Sequence, residues 1–208
     1  MGNKYLSSNV KWLGMAGFFL DDKPSVYIDP YQLAFPSIGD MVLVTHDHPE
    51  HCDPNEIKWL RKGSTVIVCP QSCAGKFIGD IRVVKPGDVI NVKGAKIEVM
   101  PAYNANPRHP IDAGGVGYII TMSDGTRIYH LGDTGLTSAM KEGIADILLV
   151  PISGANTMNA AQAAEVVNLI KPKVAIPMHW LTNKEGKAEA EKFVSLCKLN
   201  AEIVKITR

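Results

Sequence analysis

Apolar positions along the chain fall in short runs, most of them four to six residues long, separated by polar or glycine-containing breaks. Segments 10–13, 17–20 and 25–28 read as strands, and Asp21-Asp22-Lys23-Pro24 is the turn between the last two. Segment 41–45 is too short for a helix and reads as a buried strand. Further strands are expected at 65–68, 81–84, 89–92, 96–100, 116–121, 127–131, 147–152, 174–177 and 202–206. Ser123-Asp124-Gly125 marks a hairpin between two of them.

Helical signals are fewer and carry their own start codes. After His51, Asp53 caps a helix, Pro54 suits its first position and Glu56 completes a capping-box spacing, so that Ile57 and Leu60 face a core. Short helices are expected at 72–78 and at 136–142, the latter ended by Gly143. Asn159 and Gln162 form a capping box ahead of Ala163, Val166, Val167 and Ile170, which share one helical face. Thr182 and Glu185 form a second, ahead of Ala190, Phe193, Val194 and Cys197. Strands come first and then alternate with helices, which implies sheets packed together and covered by helices.

Composition narrows the class. The 208 residues are 46% hydrophobic and 21% charged, with a net charge of +1. A chain of this length buries roughly 70% of its unfolded surface, so it needs no disulfide staples. No repeat or linker divides it, and residues 1–208 are read as one domain. Nothing in the charge balance attracts nucleic acid or anionic lipid. No apolar run reaches the length of a membrane span. The first residues lack a signal-peptide layout, and Leu6 stands where a myristoylation signal needs Ser or Thr. Cys52, Cys69, Cys73 and Cys197 form no C-x-x-C pair and read as reduced thiols, Cys69 and Cys73 in the core, of a cytoplasmic protein.

The chemistry concentrates in Thr45-His46-Asp47-His48-Pro49-Glu50-His51-Cys52-Asp53, where three of the six histidines fall directly after a buried strand. Imidazole and carboxylate are the ligands of zinc and similar divalent metals. His46 and His48 alternate along extended backbone and can point the same way, while Glu50 and His51, beyond Pro49, can face a second position. One loop therefore serves two metals. Asp53 is read as a helix cap and Asp47 as pointing away from the metals or supporting them. Asp133, His179 and His109 follow later strands or lie in loops beyond them, and strand ends at one sheet edge converge. Asp29 in Ile-Asp-Pro-Tyr either supports a ligand histidine or belongs to a turn.

The pattern His46-x-His48-x-Glu50-His51, then Gly132-Asp133-Thr134, then Pro177-Met178-His179 resembles the metallo-β-lactamase-fold hydrolases over nearly the whole chain. The stretches 118–120, 128–135 and 151–158 are similar to the compact branch that includes ascorbate-6-phosphate lactonases. The resemblance implies an α+β fold, an αββα sandwich of two mixed β-sheets packed face to face. It implies two divalent metals, zinc foremost, with Mn, Fe or Ni as alternatives. His46, His48, His109 and Asp133 would hold one; Glu50, His51, Asp133 and His179 the other. Two departures stand out: Glu50 replaces the family's Asp, and Asn104 falls near where a histidine is expected, leaving His109 to substitute. His130 is read as a core or supporting residue.

The chemistry implied is hydrolysis. A metal lowers the pKa of bound water to about 7 and so provides a hydroxide at neutral pH. Glu50 and His179 are the expected catalytic residues, one orienting water or relaying a proton, the other binding metal or donating to the leaving oxygen. Ser153, Asn156 and Thr157 precede a capped helix and are candidate substrate contacts. Tyr31, Phe35, Tyr103 and Trp180 are candidate pocket residues. The expected substrate is a small lactone or phosphoester. A nuclease or phosphodiesterase on the same fold and a non-catalytic metal-binding protein are the alternatives, and a homo-oligomer is compatible with the near-minimal chain.

Overall fold

A computed structural model of the protein describes residues 9–34, 36–104, 109–141 and 143–207. Expectations placed on Leu6, Phe35 and the Glu142 end of segment 136–142 lie outside the described residues. The short apolar runs pair into two six-stranded sheets. The first holds β1 (Val10–Gly14), β2 (Gly17–Leu20), β3 (Val26–Ile28), β4 (Met41–Leu43), β5 (Val66–Pro70) and β6 (Asp80–Val84) in that spatial order. The second holds β7 (Val89–Val92), β8 (Ala95–Pro101), β9 (Val116–Thr121), β10 (Arg127–His130), β11 (Ile147–Pro151) and β12 (Val174–Met178), again in order. Each sheet is mixed. β1 to β3 pair antiparallel and β3 to β6 parallel; β7 to β10 pair antiparallel and β10 to β12 parallel.

Strand alternation sorts side chains onto two faces. In β4, Met41 and Leu43 enter the main core between the sheets, together with Trp12, Phe18 and Tyr118, while Val42 faces the opposite way. Val42 joins Phe19, Tyr27 and Ile67 under two short helices, α1 (Pro54–Trp59) and α2 (Gln71–Ala74), which add Ile57 and Cys73 to that cluster. Two longer helices, α3 (Ala160–Ile170) and α4 (Lys184–Leu196), cover the second sheet with Ala163, Val166, Val167, Ile170, Ala190 and Phe193. The layers are therefore helix, sheet, sheet, helix, an α+β sandwich. No described helix is long and apolar enough to cross a membrane.

Chain direction decides where the site lies. β3, β4 and β5 are parallel and end at one edge of the first sheet. β8 is antiparallel to β9, which is antiparallel to β10, so β8, β10, β11 and β12 end together at one edge of the second. The two edges are tied to each other: Tyr118 Oη donates to Val44 O at 2.7 Å, and the Val116 amide donates to Thr45 O at 3.0 Å.

Four expected elements differ. The helix expected at 72–78 is α2, Gln71–Ala74, and stops four residues early. Segment 136–141 is irregular, with a turn at Ser138-Ala139, instead of helical; Leu136 is left 60% exposed, and so short a segment does not repay helix nucleation. The cap of α4 is Asn183, whose Oδ1 accepts from Gly186 N at 2.9 Å, one residue beyond the expected Thr182. Asn outranks Thr as a cap, so one position is favoured over its neighbour. The expected strand at 202–206 reduces to two isolated bridges, Ala201 beside Ala175 and Ile206 beside Trp12. The tail thus spans from β12 to β1 across the edges of both sheets instead of pairing along either one. All four cysteines are free thiols.

Candidate metal centre

The loop after β4 is held before any metal is considered. Asp29, directly after β3, is fully buried, and its carboxylate accepts the Thr45 amide at 2.8 Å and the Thr45 hydroxyl at 2.6 Å. Its Oδ2 also lies 2.7 Å from His51 Nδ1. A carboxylate only accepts, so His51 Nδ1 carries the hydrogen and Nε2 is turned outward with its lone pair available. The same reasoning fixes His46. The single Thr45 hydroxyl hydrogen is committed to Asp29, so at 3.0 Å the Thr45 oxygen accepts from His46 Nδ1. One buried carboxylate therefore sets two imidazoles, the second through a threonine.

Asp133 follows β10 through Gly132, which has φ +66° and whose added Cβ would lie 2.6 Å from Val116 O. Only glycine allows that approach in the left-handed region. His130, completely buried, braces the same turn: its Nδ1 accepts from Gly132 N at 3.2 Å, and its Nε2 donates to Ala16 O at 2.8 Å. Burial holds the His130 pKa below the usual imidazole range, in keeping with this neutral form. His179 follows β12 with φ +56°, and its amide donates to Met15 O at 2.8 Å. Trp12 Nε1 donates to the same carbonyl at 2.9 Å, and the Trp12 ring stacks on Trp180 with centroids 4.9 Å apart. The β1–β2 turn thus anchors two strand ends of the opposite sheet without supplying a side chain to the cluster.

These elements converge on Asp133. Its Oδ2 lies 3.1 Å from His179 Nε2, 3.4 Å from His109 Nε2, 3.6 Å from His51 Nε2 and 3.9 Å from His46 Nε2. The ring of His48 packs 4.6 Å from that of His46 and 4.8 Å from that of His109, centroid to centroid. Ligand atoms of His46, His48, His109 and Asp133 lie within 4.8 Å of one another, and so do those of Glu50, His51 and His179. His46 Nε2, His51 Nε2, His109 Nε2 and Asp133 Oδ1 are buried without a hydrogen-bond partner. Nitrogen and oxygen donors gathered in this way, buried and without hydrogen-bond partners, fit cations.

The electrostatics agree with that donor set. Burial opposes the Asp133 anion, but the facing His51, His179 and His46 outweigh it and hold the carboxyl well below the usual range. Burial also opposes the His51 cation, yet Asp133 and Asp29 prevail and push its pKa up to about 9. For His46 burial prevails, reinforced by His51, and holds it far below the ordinary value; burial likewise lowers His109. A proton and a metal therefore compete for His51 Nε2, while His46 is ready to bind.

The remaining candidates divide. The Asn104 amide donates to His109 O at 3.0 Å, and its side-chain Nδ2 donates to Asn156 O. Asp47 is exposed, and Asp53 caps α1. Ser153 and Thr157 bond each other, Oγ to Oγ1, at 2.9 Å, closing their loop. Asn159 and Gln162 complete both halves of the capping box at the head of α3. Tyr103 and Trp180 each border a cavity beside the cluster. Thr45 and the Met15 carbonyl went unnoticed in the sequence. A Thr beside a ligand histidine is a usable signal for the first; a backbone carbonyl 164 residues from its partner gives none.

Comparison with known proteins places this geometry in context. Residues 9–179 match the family model described as the beta-lactamase superfamily domain. A metal-dependent hydrolase of Methanopyrus kandleri is 33% identical over 205 residues, covering 88% of this chain and 89% of its own. Another, from Thermoplasma acidophilum, is 34% identical over 200 residues, covering 89% and 88%. The crystal structure of a candidate metal-dependent hydrolase from Parabacteroides distasonis superposes with a TM-score of 0.81 at 29% identity, over 95% of this chain and 93% of that one.

Proposed function

The chain belongs to the β-lactamase superfamily and is a metal-dependent hydrolase, and from that premise we propose that it holds two divalent cations, zinc foremost, and cleaves a small ester-like substrate, a lactone or a phosphoester. The observation that carries this reading is the convergence of four imidazole nitrogens on Asp133 Oδ2 within 3.9 Å. His46, His48, His109 and Asp133 would hold one cation. Glu50, His51, His179 and the same Asp133 would hold the other, which makes Asp133 the shared ligand. Nitrogen and oxygen donors of this kind suit Zn, Mn, Fe or Ni. Bound there, the cations supply Lewis acidity and a nucleophile at neutral pH.

The chain's own residues do the rest. Asp29 and Thr45 fix the histidine tautomers, so no reorganisation is needed when ligands engage. Glu50, half-buried at the edge of the cluster, orients the attacking water and takes its proton. His179, held at its backbone by Met15, lies on the side open to a cavity and faces the leaving oxygen. Residues 1–208 act as one domain. The test is hydrolysis of a panel of lactones and phosphoesters by protein stripped with a chelator and reloaded with each metal. Activity that returns with metal in the wild type and not in Asp133→Ala supports the reading; activity indifferent to metal contradicts it.

A further inference from the structure

Among the described residues, two cavities open beside the cluster. One, of about 360 Å3, runs from His179 along Met15, Ile152, Trp180 and Leu181. Its outer end is bounded by Asn183, Glu185 and Glu189 at the start of α4. The other, of about 840 Å3, is bounded by Tyr103, Ile111, Leu136, Met158 and Glu165. Ala155 and Asn156 line both, so this short ridge divides them. An ester also has two arms on either side of its reacting carbon.

The walls are apolar and their charges are of one sign. Leu181, Ile111 and Leu136 are 65%, 70% and 60% exposed, large apolar side chains left at the rims of the two cavities. Apolar side chains exposed at a cavity rim offer surface that an apolar ligand can cover. Among the described residues no Lys or Arg lines either cavity, whereas three glutamates do. Lys76 reaches the histidine loop but is engaged with Asp47 O at 2.8 Å and lines neither cavity. Glu189 has Lys192 at 3.6 Å; Glu185 has no partner among the described ion pairs. Anion recognition ordinarily uses Arg, Lys or a cluster of amides, and the loop hydroxyls of Ser153 and Thr157 are already bonded to each other.

We infer that the substrate is an uncharged ester whose apolar arm occupies the cavity beside His179, and that an arm ending in phosphate or carboxylate is rejected. This rests on the hydrolase reading and narrows it from two substrate classes to one. Two measurements separate the two claims. The first is kcat/KM of the metal-loaded protein on p-nitrophenyl acetate, butyrate and hexanoate, and on acyl chains of equal length ending in carboxylate or phosphate. Burial of each methylene predicts a rise of up to about fourfold until the cavity is full. A terminal anion lowers the value at least tenfold at low salt, and less at high salt because the repulsion is screened. Leu181→Ala flattens the length dependence, and Glu185→Gln relieves part of the anion penalty.

The second measurement needs no turnover: binding of octanohydroxamate against suberic acid monohydroxamate, which share a metal-binding head and differ by a distal carboxylate. Tighter binding of octanohydroxamate with no cleavage of any ester would sustain the cavity assignment and sink the hydrolase reading. Cleavage with a flat length series, or equal or tighter binding of the carboxylate probe, would overturn the inference and leave the hydrolase reading standing. Arg108 lies outside the described residues. A preference for anionic arms that Arg108→Ala abolishes would likewise overturn the inference.

Discussion

His51 Nδ1 stands 2.7 Å from Asp29 Oδ2, both side chains fully buried, and the same carboxylate holds the amide and hydroxyl of Thr45. This relationship places Asp29 behind His51 and, through Thr45, behind His46, two histidines proposed to hold different cations. Asp29→Ala should weaken metal binding by about 10–100-fold. It should also cost about 1–3 kcal/mol of stability, because the Thr45 donors lose their buried acceptor. Metal titration and denaturant unfolding of the same variant check both; a variant that binds metal as the wild type does would contradict the supporting role.

Asp133 and His48 should differ in stoichiometry. Asp133 lies within reach of four histidines from both groups, whereas His48 belongs to one. Asp133→Ala should deplete both metals and His48→Ala chiefly one, as read by elemental analysis after gel filtration. Equal losses in the two variants would deny Asp133 its shared place.

The turn before Asp133 gives a backbone test. Gly132→Ala places a Cβ 2.6 Å from Val116 O at φ +66°. The left-handed conformation alone costs about 1–2 kcal/mol, and the clash adds to it. Lowered thermal stability together with weakened metal binding is expected, since the turn carries Asp133. Gly143→Ala, also at positive φ but with nothing within 4 Å of its Cβ, should cost only the conformational part and leave metal binding unchanged.

Protein kept in chelator should show a stability maximum near neutral pH. His51 is raised from 6.5 to about 9, so its contribution is full below about 6.5 and is lost as the pH rises toward 9. His46, His109 and His130 are shifted the other way, so their neutral burial favours the unfolded, protonated chain as the pH falls below about 6.5. Asp133 adds a further loss once the pH falls below the ordinary carboxylate value. Bound metal replaces the His51 proton, so the loaded protein should lose less stability on the alkaline side. Melting temperatures from pH 5 to 9.5, with and without metal, check the sign; a chelated protein that gains stability steadily up to pH 9 would contradict it.

Much of this was legible in local pattern. The buried strands appear as apolar runs because both of their faces are covered, and α3 appears because Asn159 and Gln162 cap it reciprocally. The histidine loop was legible because its candidate ligands are contiguous. What escaped depends on distant partners. For Asp29 the local pattern left support of a histidine and an Asp-Pro turn both open; the parallel pairing of β3 and β4 brings its carboxylate beside Thr45 and His51. The choice between Asn104 and His109 turns on how the loop after β8 folds back, which spacing does not encode. Segment 136–142 has helical periodicity, but its Leu136 borders a cavity instead of a core.

The most direct test of the account is the number of metals bound per chain. Untagged protein, stripped and reloaded with zinc, manganese or iron and freed of excess ion, should retain about two per chain with at least one of them, and Asp133→Ala close to none. One metal or none in the fully reloaded wild type would contradict a paired site built around Asp133.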